Sequence, residues 1–308
     1  MAFKFSETDQ EILVSIAEHR VLTMQHLTML HGRNASALRR RLKMLQAQSL
    51  IEIVSRPFGR NRGRPESLVS LHDSGVELLK ARSAIPKDLP ADCVTVRQTA
   101  SLDHELLIND FRVQLCQLRG ILPVLAVRFY SATSPLTPRD EEGRPIVRER
   151  VDGSDGTCDL IEFVPDGAFA FTHQERAKTL LFFLEADRGT EPLGSSRVRN
   201  LGVRGKIANY QKYFASEGYK RYEQVLNCKL RGFRLLVLTE ESTGVAKLSA
   251  LVREMSPSDF VWLTDRDKLL FCGVWAPIWV RGGRVHEPPE SILGTAMPRP
   301  CPTPGALL

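Results

Sequence analysis

Cysteine is sparse in this 308-residue chain: there are six, at 93, 116, 158, 228, 272 and 301, and no two form a Cys-x-x-Cys pair. That spacing excludes a zinc ribbon and a disulfide framework, and predicts a reduced, cytoplasmic protein. Long apolar runs are missing too. The longest, at 180–184, is strand-sized and well short of the ~18 residues of a membrane span. Met1-Ala-Phe-Lys-Phe-Ser holds no apolar signal core, so neither export nor a membrane partner is expected. The seven histidines form no His-x-His or His-x-x-x-His pair. Arg199-Asn-Leu-Gly-Val-Arg-Gly-Lys206 lacks Walker spacing and follows no strand, and no nucleophile elbow supports Ser-His-Asp chemistry. Aromatic residues are only 7% of the chain, and Phe58 alone lies near the most basic segment.

What is present is an ordinary globular composition, 43% hydrophobic and 25% charged, long enough for two domains. The net charge of +6 is strongly localised. Between Arg33 and Arg64 stand nine basic residues and one acid, Glu52, so this stretch carries +8 and the remainder is slightly acidic. A block of that kind points to a polyanionic partner.

Around it, the pattern predicts helix, helix, helix, strand, basic tip and strand. Ser6-x-x-Asp9 reads as a capping box ahead of Ile12, Leu13 and Ile16. Thr23 caps a helix over 24–30 that Gly32 ends, and Ser36 opens a third helix with apolar Leu38, Leu42 and Leu45. Ser36, Arg39, Arg40 and Lys43 fall on the face away from those leucines. A strand at 50–54, the tip Gly59-Arg-Asn-Arg-Gly-Arg-Pro65 and a strand at 67–71 follow. This is the order of a winged helix-turn-helix. Ser36, Arg39, Arg40 and Lys43 are its candidate readers of double-stranded DNA, and Arg60, Arg62 and Arg64 its candidate phosphate contacts. Without a platform of rings nearby, duplex is expected over single-stranded DNA.

The expected organisation is a winged helix over 1–83, a linker over 84–100, an α/β domain over 101–285 with a central mixed sheet, and a proline-rich tail over 286–308. The fold class is therefore α+β. A helix over 102–118 precedes the sheet, and 131–150, with three prolines and mixed charge, reads as a long exposed loop. Within the second domain, Asp166 stands at the start of one apolar strand and Glu185 at the end of another. Carboxylates gathered at strand ends are what a hard divalent cation such as Mg²⁺ requires. The pair is similar to the PD-(D/E)XK nuclease signature, but Asp187 stands where that signature places lysine. Lys206, with Tyr210 one turn later, is a candidate displaced lysine, Arg188 another, and Glu105 a candidate extra acid. Asp166 and Glu185 are thus candidate metal ligands, and Asp166, Glu185 and Lys206 candidate catalytic residues. The same acids also suit a purely structural role, capping or pairing with basic residues.

The basic segment, Leu102-Asp-His-Glu-Leu-Leu-Ile-Asn-Asp-Phe, Pro165-Asp-Gly and Phe183-Leu-Glu-Ala-Asp-Arg-Gly-Thr-Glu191 together resemble the replication-relaxation family over residues 8–265. So does Lys206 with Tyr210 and Tyr213. The resemblance implies a DNA-binding protein of plasmids and other mobile elements, acting in replication, relaxation or mobilisation. It implies as partners the replication, relaxase or transfer proteins of the same element, and is compatible with a homodimer. Two readings of the second domain stand beside each other: a scaffold for assembly, and a Mg²⁺-dependent DNA endonuclease.

Overall fold

The computed structural model describes residues 3–54, 67–97, 101–131, 134, 136–139, 143–152, 160–189 and 202–294. Packing divides the chain into two compact units: Met1–Val113 with Thr133–Pro138, and Gln114–Ala132 with Arg139–Leu308. The fold is α+β.

In the first unit, α1 (Glu7–His19), β1 (Val21–Thr23), α2 (Met24–His31) and α3 (Ala35–Ala47) precede β2 (Ile51–Val54), β3 (Leu68–Leu71) and α4 (Asp73–Ala81). Both predicted caps form. Ser6 and Asp9 bond each other's backbone N–H at α1, and Thr23 caps α2, which ends at left-handed Gly32. Each cap satisfies helix-end donors that would otherwise need water, worth about 1 kcal/mol. The three strands form an antiparallel sheet in the order β1-β3-β2. Ile12, Ile16, Leu27, Leu38, Leu42 and Leu45 close the core beneath it.

Residues 84–97, expected as linker, are part of this core. Ile85, Leu89 and Val94 are buried with Val113. The two prolines prevent a regular period but leave apolar residues spaced widely enough for an irregular segment to dock. The division between units falls later, within α5 (Leu102–Ile121).

The second unit holds β4 (Leu125–Tyr130), β5 (Glu149–Asp152), β6 (Leu160–Phe163), β7 (Gly167–His173), β8 (Lys178–Asp187), α6 (Val203–Ala215) and α7 (Tyr222–Leu226). After these come β9 (Phe233–Thr239), α8 (Ser242–Arg253), β10 (Val261–Asp265), α9 (Arg266–Cys272) and β11 (Val280–Arg281). Six strands form one mixed sheet in the order β11-β10-β9-β8-β7-β4. The β8, β9 and β10 strands are parallel, and the outer pairings are antiparallel. Strands β5 and β6 pair separately.

Two further expectations shift. The 131–150 segment is not all exposed loop, because Ile146 and Val147 are buried and β5 begins at Glu149. The tail begins later than residue 286: Ile292 and Leu293 are fully buried and Glu290 bridges Trp279. Among the described residues, no helix is long and apolar enough to cross a membrane.

Candidate functional site

Helix α3 separates its residues cleanly by face. Its cap is Asn34, whose side chain accepts the Ser36 N–H at 2.9 Å, so Ser36 lies exposed inside the first turn and is not the cap. Leu38, Leu42 and Leu45 point into the core. Arg39, Arg40 and Lys43 are exposed and have no partner among the described residues. Arg41 behaves differently. One residue further around the helix, its guanidinium bonds both carboxylate oxygens of Asp9 and the Lys4 carbonyl. Asp9 is fully buried; burial alone would raise its pKa, but the bonds from Arg41 and Ser6 hold it below the usual range. Arg41 is therefore committed to holding α3 on α1. The β2–β3 ladder runs out to Val54 and Leu68. Arg60, Arg62 and Arg64 lie in the connection between them, outside the described residues.

The acid pair of the second unit is built by strand register. Gly167 opposes Leu184 in the antiparallel β7–β8 ladder, so the preceding Asp166 comes beside Glu185. Asp166 Oδ2 accepts the Ala186 N–H at 2.8 Å, which fixes its carboxylate against β8. The glycine of Pro165-Asp-Gly is required for packing, because a Cβ at Gly167 would stand 2.4 Å from the Phe129 ring. On α6, Lys206, Tyr210 and Tyr213 recur at helical spacing along one face. Lys206 Nζ reaches Glu185 Oε2 at 3.2 Å, and Tyr210 Oη donates to Glu185 Oε1 at 2.7 Å. The structure thus brings Asp166, Glu185 and Lys206 together. Burial, aided by neighbouring Asp166, raises the Glu185 pKa from 4.5 to about 7 despite the opposing pull of Lys206. Glu185 is therefore a carboxyl poised to gain or lose a proton near neutrality.

Asp187, at the place of the motif lysine, accepts the Gly189 N–H at 2.9 Å and makes an Asx turn with Gly189 at φ +69°. Glu105 is paired with Arg20 at 2.7 Å within the first unit. A second buried carboxylate escaped the sequence reading. Glu149 is fully buried and accepts from Tyr222 Oη at 2.6 Å and Arg221 Nη1 at 3.1 Å. Burial raises its pKa against the pull of Arg221. The alternation Val147-x-Glu149-x-Val151 was the available signal, since it puts the glutamate on the inward face of a strand.

Comparison with family profiles finds one described as replication-relaxation, matching residues 13–227. The match covers more than two thirds of the chain. This chain belongs to the replication-relaxation family. The matched span takes in α3, the acid pair, Lys206 and Tyr210, so both constellations lie within the family's common region. The strands and helices from β9 onward lie beyond it. No curated protein and no solved structure matches the chain.

Proposed function

We propose that this replication-relaxation protein binds duplex DNA through its first unit, acting in replication, relaxation or mobilisation of a mobile element. The observation that carries the reading is α3, whose Arg39, Arg40 and Lys43 are exposed and, among the described residues, unpaired opposite a buried leucine face. Element order and the β1-β3-β2 sheet support a winged helix-turn-helix, in which the third helix enters the major groove. Arginine and lysine there can bond guanine O6 and N7, and Ser36 can bond a base edge or phosphate. Arg60, Arg62 and Arg64, on the tip, contact phosphates in this reading. The second unit is a nuclease-like scaffold for replication, relaxase or transfer proteins, or for a second copy of the chain, in the cytoplasm. Sequencing the fragments that the protein retains from a pool of random duplexes tests this. A shared motif is expected; retention without any sequence preference would overturn base reading by α3.

One observation favours the endonuclease reading: Lys206 lies at Glu185, where a cation would steady a phosphate near the acid pair. The donor set, however, falls short of a divalent cation's needs. Both Glu185 oxygens already hold donors, and among the described residues no three acids, histidines or cysteines gather. The scaffold reading is therefore preferred. Incubating supercoiled plasmid with the protein in Mg²⁺ or Mn²⁺ decides between them. Nicking that disappears in Asp166→Ala would establish the endonuclease; intact plasmid is the expected result.

A further inference from the structure

Strand β8 carries Glu185 near its C-terminal end, and a different feature lies at its start. There, between the first residues of β8 and β9, a cleft of about 760 Å³ opens. Lys178 and Glu185 are seven residues apart on this strand, so the two features are separated by roughly 23 Å. One wall of the cleft is aromatic. Phe214 and Phe260 lie near-parallel at 26° with centroids 6.1 Å apart, and Phe214 is 39% exposed. Gly232 borders the cleft and has no side chain to cover the Phe214 ring.

The charge of the cleft sorts into matched and unmatched groups. Arg281 pairs with Asp259 and Glu290, and Arg234 lies over the Trp262 ring while donating to the Ile292 carbonyl. Arg176, Lys178 and Arg231 are exposed and have no partner among the described residues. Three unmatched cations attract any polyanion. The exposed phenylalanine wall is more selective, because it favours a ligand that offers a flat π-face. Nucleobases in a duplex keep their faces stacked on one another, whereas a single strand can turn one outward. We propose that this cleft binds single-stranded nucleic acid, with phosphates on Arg176, Lys178 and Arg231 and a base against Phe214. The site is independent of α3 and of the acid pair.

The test uses the full chain and fluorescence anisotropy, with labelled oligothymidylate and a duplex of equal length as probes. Phe214→Leu is expected to weaken oligothymidylate binding about ten-fold while leaving the duplex unaffected. Replacing Arg176, Lys178 and Arg231 together with alanine should weaken it further and flatten the salt slope by about 2. The triple alanine variant of Arg39, Arg40 and Lys43 should keep oligothymidylate binding, which separates failure of this site from failure of the duplex reading. Wild-type protein that does not bind oligothymidylate would overturn the proposal. So would undiminished binding by the cation variant, whose replaced side chains are exposed and leave the core intact. Equal losses on duplex and single strand would reassign the cleft to duplex DNA. Competition by polyglutamate as strong as by unlabelled oligothymidylate would reassign it to an acidic protein.

Discussion

The outward face of α3 and the inward face of α6 both carry basic side chains, and they treat them in opposite ways. Arg39, Arg40 and Lys43 are exposed and have no partners among the described residues, whereas Lys206 answers a buried glutamate at 3.2 Å. Arg41 and Arg221 follow the second pattern, matched to Asp9 and Glu149, which are fully buried. An unmatched surface cation adds little to folding and remains available to an external phosphate. A matched one is tied to a carboxylate that cannot stand alone in a low dielectric. Local basicity in sequence does not distinguish these fates, because Arg40 and Arg41 are neighbours and belong to different classes. For Arg41, Arg221 and Lys206 the partner is a buried carboxylate.

The sharpest way to break this contrast is to remove the unmatched set. The Arg39→Ala/Arg40→Ala/Lys43→Ala variant should lose at least about 4 kcal/mol of duplex affinity, roughly a thousand-fold in gel shift. Its melting temperature should barely move, since surface changes of this kind alter stability by about 0.5 kcal/mol. Next in size is Arg41→Ala on the same helix, with the opposite readout. It strands the buried Asp9 carboxylate and should cost about 2–4 kcal/mol in denaturant unfolding, while folded protein keeps its DNA affinity.

A pH experiment sharpens the second half of the comparison. Because Glu185 titrates at about 7 when folded and near 4.5 when unfolded, the folded state holds a proton that the unfolded chain releases. Its contribution to stability is complete below pH 4.5 and lost as pH rises through 7. Glu185→Gln should remove that dependence, raising stability at pH 8 relative to pH 5 by on the order of 1–3 kcal/mol compared with wild type. Denaturation midpoints across that range would check it; parallel pH profiles would refute the assignment. The smallest expected effect is Tyr210→Phe, which deletes the 2.7 Å bond to Glu185 Oε1. It should cost about 1 kcal/mol and raise the Glu185 pKa, visible as a shifted titration.

Much of the first unit was legible because its signals are local. The box at Ser6 and Asp9, the Thr23 cap with Gly32, and the leucine spacing of α3 each act within a few residues. The acid pair was readable as composition, but its geometry depended on the register of Gly167 opposite Leu184, a pairing between strands. Glu149 was missed because prolines and charges around it outweighed the five-residue alternation Val147-x-Glu149-x-Val151. Asp187 was legible as a departure from the motif, and the Gly189 bond adds that it shapes a turn. The linker expectation failed where Ile85, Leu89 and Val94 bury themselves without a period, which no sequence template anticipates.

Helix α5 has a consequence for how the protein is made. Its first residues complete the N-terminal unit: Leu102 and Leu106 pack with Val21 and Leu68, and the Asn109 side-chain amide donates to the His19 and Val21 carbonyls. His26 Nδ1 takes the Thr23 N–H, which leaves Nε2 as the donor toward Asp110 at 2.6 Å. On the ribosome, a nascent chain that ends at residue 83 therefore exposes the apolar and polar surfaces that α5 will cover. At about 5–20 residues per second, some 30 further residues take roughly 2–6 s to emerge. Until then those surfaces of the N-terminal unit stay uncovered.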